Sequence, residues 1–275
     1  MDLNIQKDLT SNWFKLLQDA FCNDICELEN NKAKFTTTTW KRKFNKNEGG
    51  GEYRILQNGN VFDKVGVNFS KVYGKFPKEF QKNIPGAHSD PKFWATGISV
   101  VMHMKNPLIP AMHFNTRYIC TTYDWFGGGM DVTPSKVDDA EKKEFHKILK
   151  NMCNRHDKTF YTKYKKWCDE YFYLPHRKEA RGIGGIFFDY KKDNFEKDFR
   201  FVRDVGITFQ LIFNKIITKK IKRKWTARDK EIQYIKRGRY AEFNLLYDRG
   251  TKFGLKTGGN TEGILMSLPP LAKWK

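Results

Sequence analysis

The chain has 275 residues, 39% of them hydrophobic and 15% aromatic, enough apolar material to bury a substantial core, so it is globular. Its 51 Lys and Arg against 31 Asp and Glu give a formal charge of +20, which suggests an anionic partner: nucleic acid, an anionic membrane or an acidic substrate. No apolar run approaches the roughly 20 residues of a membrane helix, and the start MDLNIQKDLTSNW has neither the basic end nor the apolar middle of a secretion signal, so the expected address is the cytoplasm.

In chain order, Trp13, Leu16, Leu17 and Phe21 recur at helical spacing and predict a first helix. KFTTTTWKRKF and EYRILQNGNVFDKVGVNFSKVYG turn to β-branched and aromatic residues punctuated by Gly and predict strands. FWATGISVVMHMKN and AMHFNTRYICTTYDW both alternate, and the prolines of NPLIP between them forbid continued pairing, so they predict a hairpin folded about Leu108. WFGGGMDVTP then reads as a Gly-rich loop that Pro134 stiffens. Helices follow: Phe145, Ile148, Leu149 and Met152 share a face, as do Phe160, Tyr164, Trp167, Cys168 and Tyr171. Phe195, Phe199, Val202, Val205, Phe209, Phe213 and Ile216 mark a long third one. GGIFFDY and RYAEFNLLYD read as strands, and EFNLLYDRGTKFGL as a strand near a subunit contact.

An early block of strands with helices before and after, and no βαβ alternation, predicts an α+β fold with a mostly antiparallel sheet covered by helices. No linker or repeat interrupts residues 1–275, so one domain is expected. Lysine is spread over nearly every segment, and the one dense basic run, KKIKRKWTARDK, sits between two predicted helices, where a solvated face is its ordinary meaning. Five cysteines without a CxxC pair read as reduced thiols.

The hairpin concentrates the chemistry. Alternation puts Ser99, Val101 and His103 on one face of its first strand and His113, Asn115 and Arg117 on one face of its second. Folding about Leu108 pairs His103 with His113, Val101 with Asn115 and Ser99 with Arg117, with Ile98, Val100, Met102, Phe114 and Tyr118 behind. Any one polar residue alone would suit a wet sheet face. A Ser, two His, an Asn and an Arg with no Lys or Glu among them point instead to a site. In WFGGGMDVTP neither a phosphate-loop spacing nor a strand–GxGxxG–helix fingerprint is present. The glycines allow a backbone to approach a flat ligand, and Asp131 behind them reads equally as an acceptor or base and as the cap of the next helix.

HFNTRY, WFGGGMDVTP, YKKWCDEYFYLPHRKEARGIGGIFFD and GRYAEFNLLYDRGTKFGLKTGGNTEGILMSLPPLAKW together resemble the oxygen-dependent coproporphyrinogen III oxidase family, from about GGGEYRILQNGNVFDKVGVNFS to the C-terminus. The resemblance implies a large antiparallel β-sheet flanked by α-helices on both faces, and a homodimer. It also implies aerobic oxidative decarboxylation of two propionates of coproporphyrinogen III to vinyl groups, giving protoporphyrinogen IX for haem, with O2 as electron acceptor and no organic cofactor. Asp131 would lie under the macrocycle at a pyrrole N–H, Arg117 would hold a propionate or stabilise the peroxide, and His113 would donate a proton. Ser99, Asn115, Thr116, Arg117, Gly258, Gly259 and Asn260 match substrate-contact positions. Some bacterial members are described as using a divalent metal such as manganese, at positions matching His103, His113, His146 and His176, and others as working without one. Imidazole suits Mn less well than Zn, Cu or Ni, and His146, beside Phe145 and Leu149, reads equally as a structural histidine.

Two features depart from the family. Asn260 stands where many members have the Arg of TGGRTE, and the chain stops at Lys275 where many continue into a segment that contributes to dimer contacts. Two rival readings fit the residues less well. The radical enzyme for the same step needs CxxxCxxC, but after Cys22 and Cys26 position 29 is Glu. A basic nucleic-acid-binding protein without catalytic activity would explain the charge but has no recognisable motif here and leaves the polar face unexplained.

Overall fold

The computed structural model describes residues 1–42, 48–256 and 258–275. The last two residues of KFTTTTWKRKF lie outside them. The elements are α1 (Leu3–Leu28), β1 (Thr36–Lys41), β2 (Gly49–Gln57), β3 (Phe62–Lys75), α2 (Lys78–Gln81), β4 (Lys92–Met104), β5 (Ala111–Cys120), β6 (Asp124–Thr133), α3 (Asp139–Asn154), α4 (Phe160–Tyr171), β7 (Tyr173–Leu174), β8 (Glu179–Ala180), β9 (Gly185–Lys191), α5 (Phe195–Lys220), α6 (Ala227–Leu246), α7 (Arg249–Lys256) and α8 (Thr261–Leu265). β1 to β6 form an antiparallel meander with β9 added beside β6, and β7 and β8 make a separate small hairpin. The result is the expected α+β arrangement, an antiparallel sheet with helices.

One face of the sheet is apolar because every second residue is. Val65, Val67, Val100, Met102, Phe114, Tyr118, Phe126, Met130 and Ile186 are buried there in one cluster with residues of α1, α3 and α5. Phe114 stacks on Phe209 of α5 at 5.0 Å and meets the edge of Phe21 of α1 at 5.5 Å. Fully burying such a side chain contributes about 1.5–3 kcal/mol, so this face cannot exchange with the polar one. At the end of α1, the buried Glu29 accepts the backbone N–H groups of Asn60, Val61 and Phe62 at 2.6–2.8 Å. That carboxylate clamps the β2–β3 turn, a structural use for the residue that breaks the cluster motif.

Four expectations need correction. The β4–β5 hairpin pairs Val101 with His113, Ser99 with Asn115 and Gly97 with Arg117, two residues away from folding about Leu108. The turn lies earlier because Asn106 organises it, accepting from Leu108 N through its side chain and from Ile109 N through its carbonyl. An even shift keeps every side chain on its face, so the polar set survives while its pairs change. WFGGGMDVTP is strand β6, paired on both sides, and not a loop. Gly128 and Gly129 have φ +157°, and a Cβ on either would run into the backbone carbonyls of Asn115 and Ile186, so glycine is needed to keep the strand in register.

RYAEFNLLYD lies in α6 and its end, and the segment expected as a strand at a subunit contact is the end of α6 followed by α7. Thr226 and Asp229 form a capping box at the start of α6, and Gln233, Arg237, Tyr240, Ala241, Phe243 and Asn244 are its buried stripe. Leu245 and Leu246 stay half exposed. In α1, Leu16 is also exposed, its place in the buried stripe being taken by Phe14.

Candidate active site

The polar face of the sheet is covered only in part. α6 lies over its lower end, where Tyr240 meets His103 edge to face at 5.1 Å, and Met266, just after α8, fills the space left by Gly66. Beyond them, Asn68, Ser99 and Asn115 run side by side across three strands, with Gly97, Gly127 and Gly129 around them. A floor of glycine and short polar side chains lets a flat ligand lie close to the strands.

Asp131 is directly opposite His113, on the same face as Arg117. Its carboxylate is 1% exposed, and its Oδ1 lies 2.8 Å from His113 Nδ1. The Arg181 guanidinium grips the same carboxylate in a fork, Nη2 to Oδ1 at 2.6 Å and Nε to Oδ2 at 3.2 Å. Asn244 of α6 accepts from Arg181 Nη1 at 3.0 Å, and the rings of Phe172, Tyr240 and Phe243 stand 4.1–4.7 Å from the guanidinium carbon. On the other side, Asn115 Nδ2 donates to His113 Nε2 at 3.1 Å, and Arg117 Nη2 donates to Asp189 Oδ2 at 2.6 Å. A neutral imidazole with its proton on Nδ1 satisfies both neighbours of His113.

Charge is controlled by this arrangement. Burial alone would raise the Asp131 pKa, but Arg181 and His113 outweigh it and hold the carboxyl below its ordinary value. Asp131 is therefore a buried anion whose partners are already in place. It is neither a helix cap, since Asp138 caps α3, nor an open group facing a ligand, since the exposed member of the pair is His113 at 15%. The imidazole presents to the outside what Asp131 and Arg181 fix from behind, and Arg117, 32% exposed, presents a guanidinium beside it.

Ser99, His113, Asn115 and Arg117 thus share one accessible face. Thr116 does not: alternation turns its side chain to the core, where it is 1% exposed, and pairing on both sides uses its backbone. Gly258, Gly259 and Asn260 lie ahead of α8, whose Gly263 sits against Tyr53 on the same sheet face. Asn260 Oδ1 caps α8 by accepting from Gly263 N at 2.9 Å, a task that Asn performs and Arg, which has no acceptor, cannot.

The four histidines matched to metal positions do not converge. Buried His103 lies 2.9 Å from the Ser267 carbonyl, His146 2.9 Å from the Ile183 carbonyl, and His176 is held by Glu242 and Tyr247. Among the described residues no three His, Cys, Asp or Glu side chains form a metal-holding group. As arranged, this donor set does not fit one divalent ion.

Arg181, Asn244 and Asp189 were not singled out in the sequence. A signal for Arg181 existed, because a carboxylate buried among aromatic residues needs a buried cation, but its position could not be read from spacing.

A polar relay supported from behind by a buried ion pair, on the open face of an antiparallel α+β sheet, defines an enzyme of the proton-handling and anion-holding kind. Residues 10–275 match the model of the coproporphyrinogen III oxidase family. Proteins named oxygen-dependent coproporphyrinogen-III oxidase are similar over nearly the whole chain: that of Rickettsia akari is 54% identical over 98% of both chains. That of Rickettsia rickettsii is 53% identical over 99% of this chain and 100% of its own, and that of Rickettsia bellii 52% over 98% of both. The chain belongs to the coproporphyrinogen III oxidase family. None of these matches supports the nucleic-acid alternative, and no helix among the described residues is long and apolar enough to cross a membrane.

Proposed function

We propose that the chain is an oxygen-dependent coproporphyrinogen III oxidase that converts two propionates of its substrate to vinyl groups. For each propionate, the side chain loses CO2, one proton and two electrons, and O2 takes up the two electrons with two protons to leave as H2O2. The porphyrinogen is electron-rich enough to supply those electrons itself, so the protein's part is to orient, to hold charge and to move protons. His113 exchanges the proton at its outer nitrogen, and Asp131, locked by Arg181, fixes its tautomer and steadies the imidazolium that forms. Arg117 holds the reacting carboxylate or the reduced oxygen. Ser99 and Asn115 contact the macrocycle from the floor, and residues 258–260 from the rim.

The observation that carries this assignment is the unbroken chain Arg181–Asp131–His113–Asn115, buried at Arg181 and Asp131 and opening at His113 and Asn115 beside Arg117, in a chain of this family. The net charge of +20 favours capture of a substrate bearing four carboxylates. We also propose a homodimer, supported by the exposed Leu245, Leu246 and Leu255 of α6 and α7. The deciding experiment is an assay on coproporphyrinogen III in air and under argon, with and without chelator. Protoporphyrinogen IX and H2O2 in air alone are expected, and turnover without O2 would overturn the assignment.

A further inference from the structure

The strand pairing of β6 with β9 slips by one residue: Gly128 faces Phe188, yet Phe126 faces Lys191, so Asp189 and Tyr190 together oppose Gly127. This is a β-bulge, and Tyr190 within it has φ +53°, a left-handed conformation that tyrosine rarely adopts. The bulge takes the Tyr190 N–H out of the ladder, and Asp189 Oδ1 accepts it at 3.0 Å. Asp189 Oδ2 is left to accept from Arg117 Nη2 at 2.6 Å. Gly127 completes the arrangement, since a Cβ there would fall on Asp189 Oδ1 and within 2.9 Å of Arg117 Cζ and Nη2. A bulge, a strained residue, an absent side chain and an ion pair therefore converge on one carboxylate that no step above uses.

We infer that Asp189 is a positioning residue, holding the Arg117 guanidinium by one edge so that its remaining donors are presented to a substrate carboxylate; this rests on Arg117 being the group that holds that carboxylate. Arginine's five donors lie in a rigid plane, so fixing Nη2 at Asp189, with Nη1 3.4 Å from Asn115 Oδ1, fixes the direction of the rest. A side chain already held in place loses less freedom on binding. Without Asp189 the same charge remains but its direction is lost, so affinity suffers before turnover.

The test is a double-mutant cycle on the full-length enzyme with coproporphyrinogen III in air, using Asp189→Ala, Arg117→Ala and the double variant, with melting temperatures measured alongside. Asp189→Ala is expected to raise KM about tenfold or more while kcat changes by less than about threefold, and the double variant should be no worse than Arg117→Ala alone. If the two effects multiply independently, Asp189 does not act through Arg117 and the inference falls while Arg117 keeps its role. If Arg117→Ala leaves kcat/KM unchanged, the role of Arg117 falls and the inference with it. Gly127→Ala wedges a methyl between the pair without altering either charge and should raise KM in the same way. An unchanged KM in that variant overturns the proposal even where Asp189→Ala folds poorly.

Discussion

Replacing Asp131 by Asn separates the two tasks assigned to that carboxylate. The substitution removes the charge and leaves one acceptor oxygen for three donors, Arg181 Nη2, Arg181 Nε and His113 Nδ1. Arg181, whose side chain is 2% exposed, loses its counter-charge and keeps Asn244, at most the one remaining amide oxygen, and its aromatic neighbours. Breaking a buried pair in this way costs about 3–5 kcal/mol, which corresponds to a Tm lower by about 6–20 °C at the roughly 2–4 °C per kcal/mol of a chain this size. Turnover should fall by about 10²- to 10⁴-fold in the folded fraction. The double variant Asp131→Asn/Arg181→Met has no orphaned cation, so it should recover stability to within about 2 kcal/mol of the parent, yet not recover activity. Urea unfolding followed by tryptophan fluorescence, with initial rates in air, measures both. If the single variant unfolds within about 1 kcal/mol of the parent, or if the double loses the sum of the two single effects, Arg181 is not the partner on which Asp131 depends.

His103 is buried, and burial pushes its pKa down to about 3. The unfolded chain then takes up a proton below about pH 6.5 that the folded chain refuses, so stability should decline as pH falls from about 6.5 towards 3. His103→Phe should flatten that decline, and an equal slope in urea midpoints between pH 7 and 4.5 would show that other groups cause it. Asp131, by contrast, has a lowered pKa and contributes stability above the ordinary carboxyl range, lost only as pH falls below about 4. Exhaustive dialysis against EDTA should leave the rate unchanged, because the four candidate histidines have separate partners; a loss restored by manganese would refute this. Sedimentation at micromolar concentration should give twice the 32.5 kDa chain mass, with Leu245→Glu/Leu246→Glu shifting the protein to monomer, and a parent that is already monomeric would count against the dimer.

Much of the site was legible because period-two alternation is robust. Ser99, His113, Asn115 and Arg117 share a face in either register, since an error of two residues preserves it. The same alternation turns Thr116 away from that face, although its position matches the family's together with its neighbours. WFGGGMDVTP reads as a loop because Gly is a turn residue by default, and only the close carbonyls of neighbouring strands explain its glycines within a strand. RYAEFNLLYD illustrates the ambiguity of short apolar runs: Tyr240, Phe243 and Tyr247 fit a helix, but the adjacent Leu245 and Leu246 obscure the period. Arg181 and Asp189 could not have been placed, because their roles depend on which distant strand and helix they meet.

The Asp131–Arg181–Asn244 chain also sets an order of events during synthesis. Asp131 leaves the ribosome 50 residues before Arg181, and Arg181 leaves 63 residues before Asn244. The meander β1 to β5 needs only its neighbours and can pair as it emerges, whereas the β6 carboxylate, with His113 beside it, lacks its cation until Arg181 follows the β7–β8 hairpin, and Arg181 lacks Asn244 until α6 exists. Pulsed hydrogen exchange during refolding should accordingly protect amides of β3 to β5 before those of β6 and β9. The strands that hold His113 and Arg117 in place, through Asp131 of β6 and Asp189 of β9, are then the last to close, and a nascent or truncated chain remains inactive until α6 has docked.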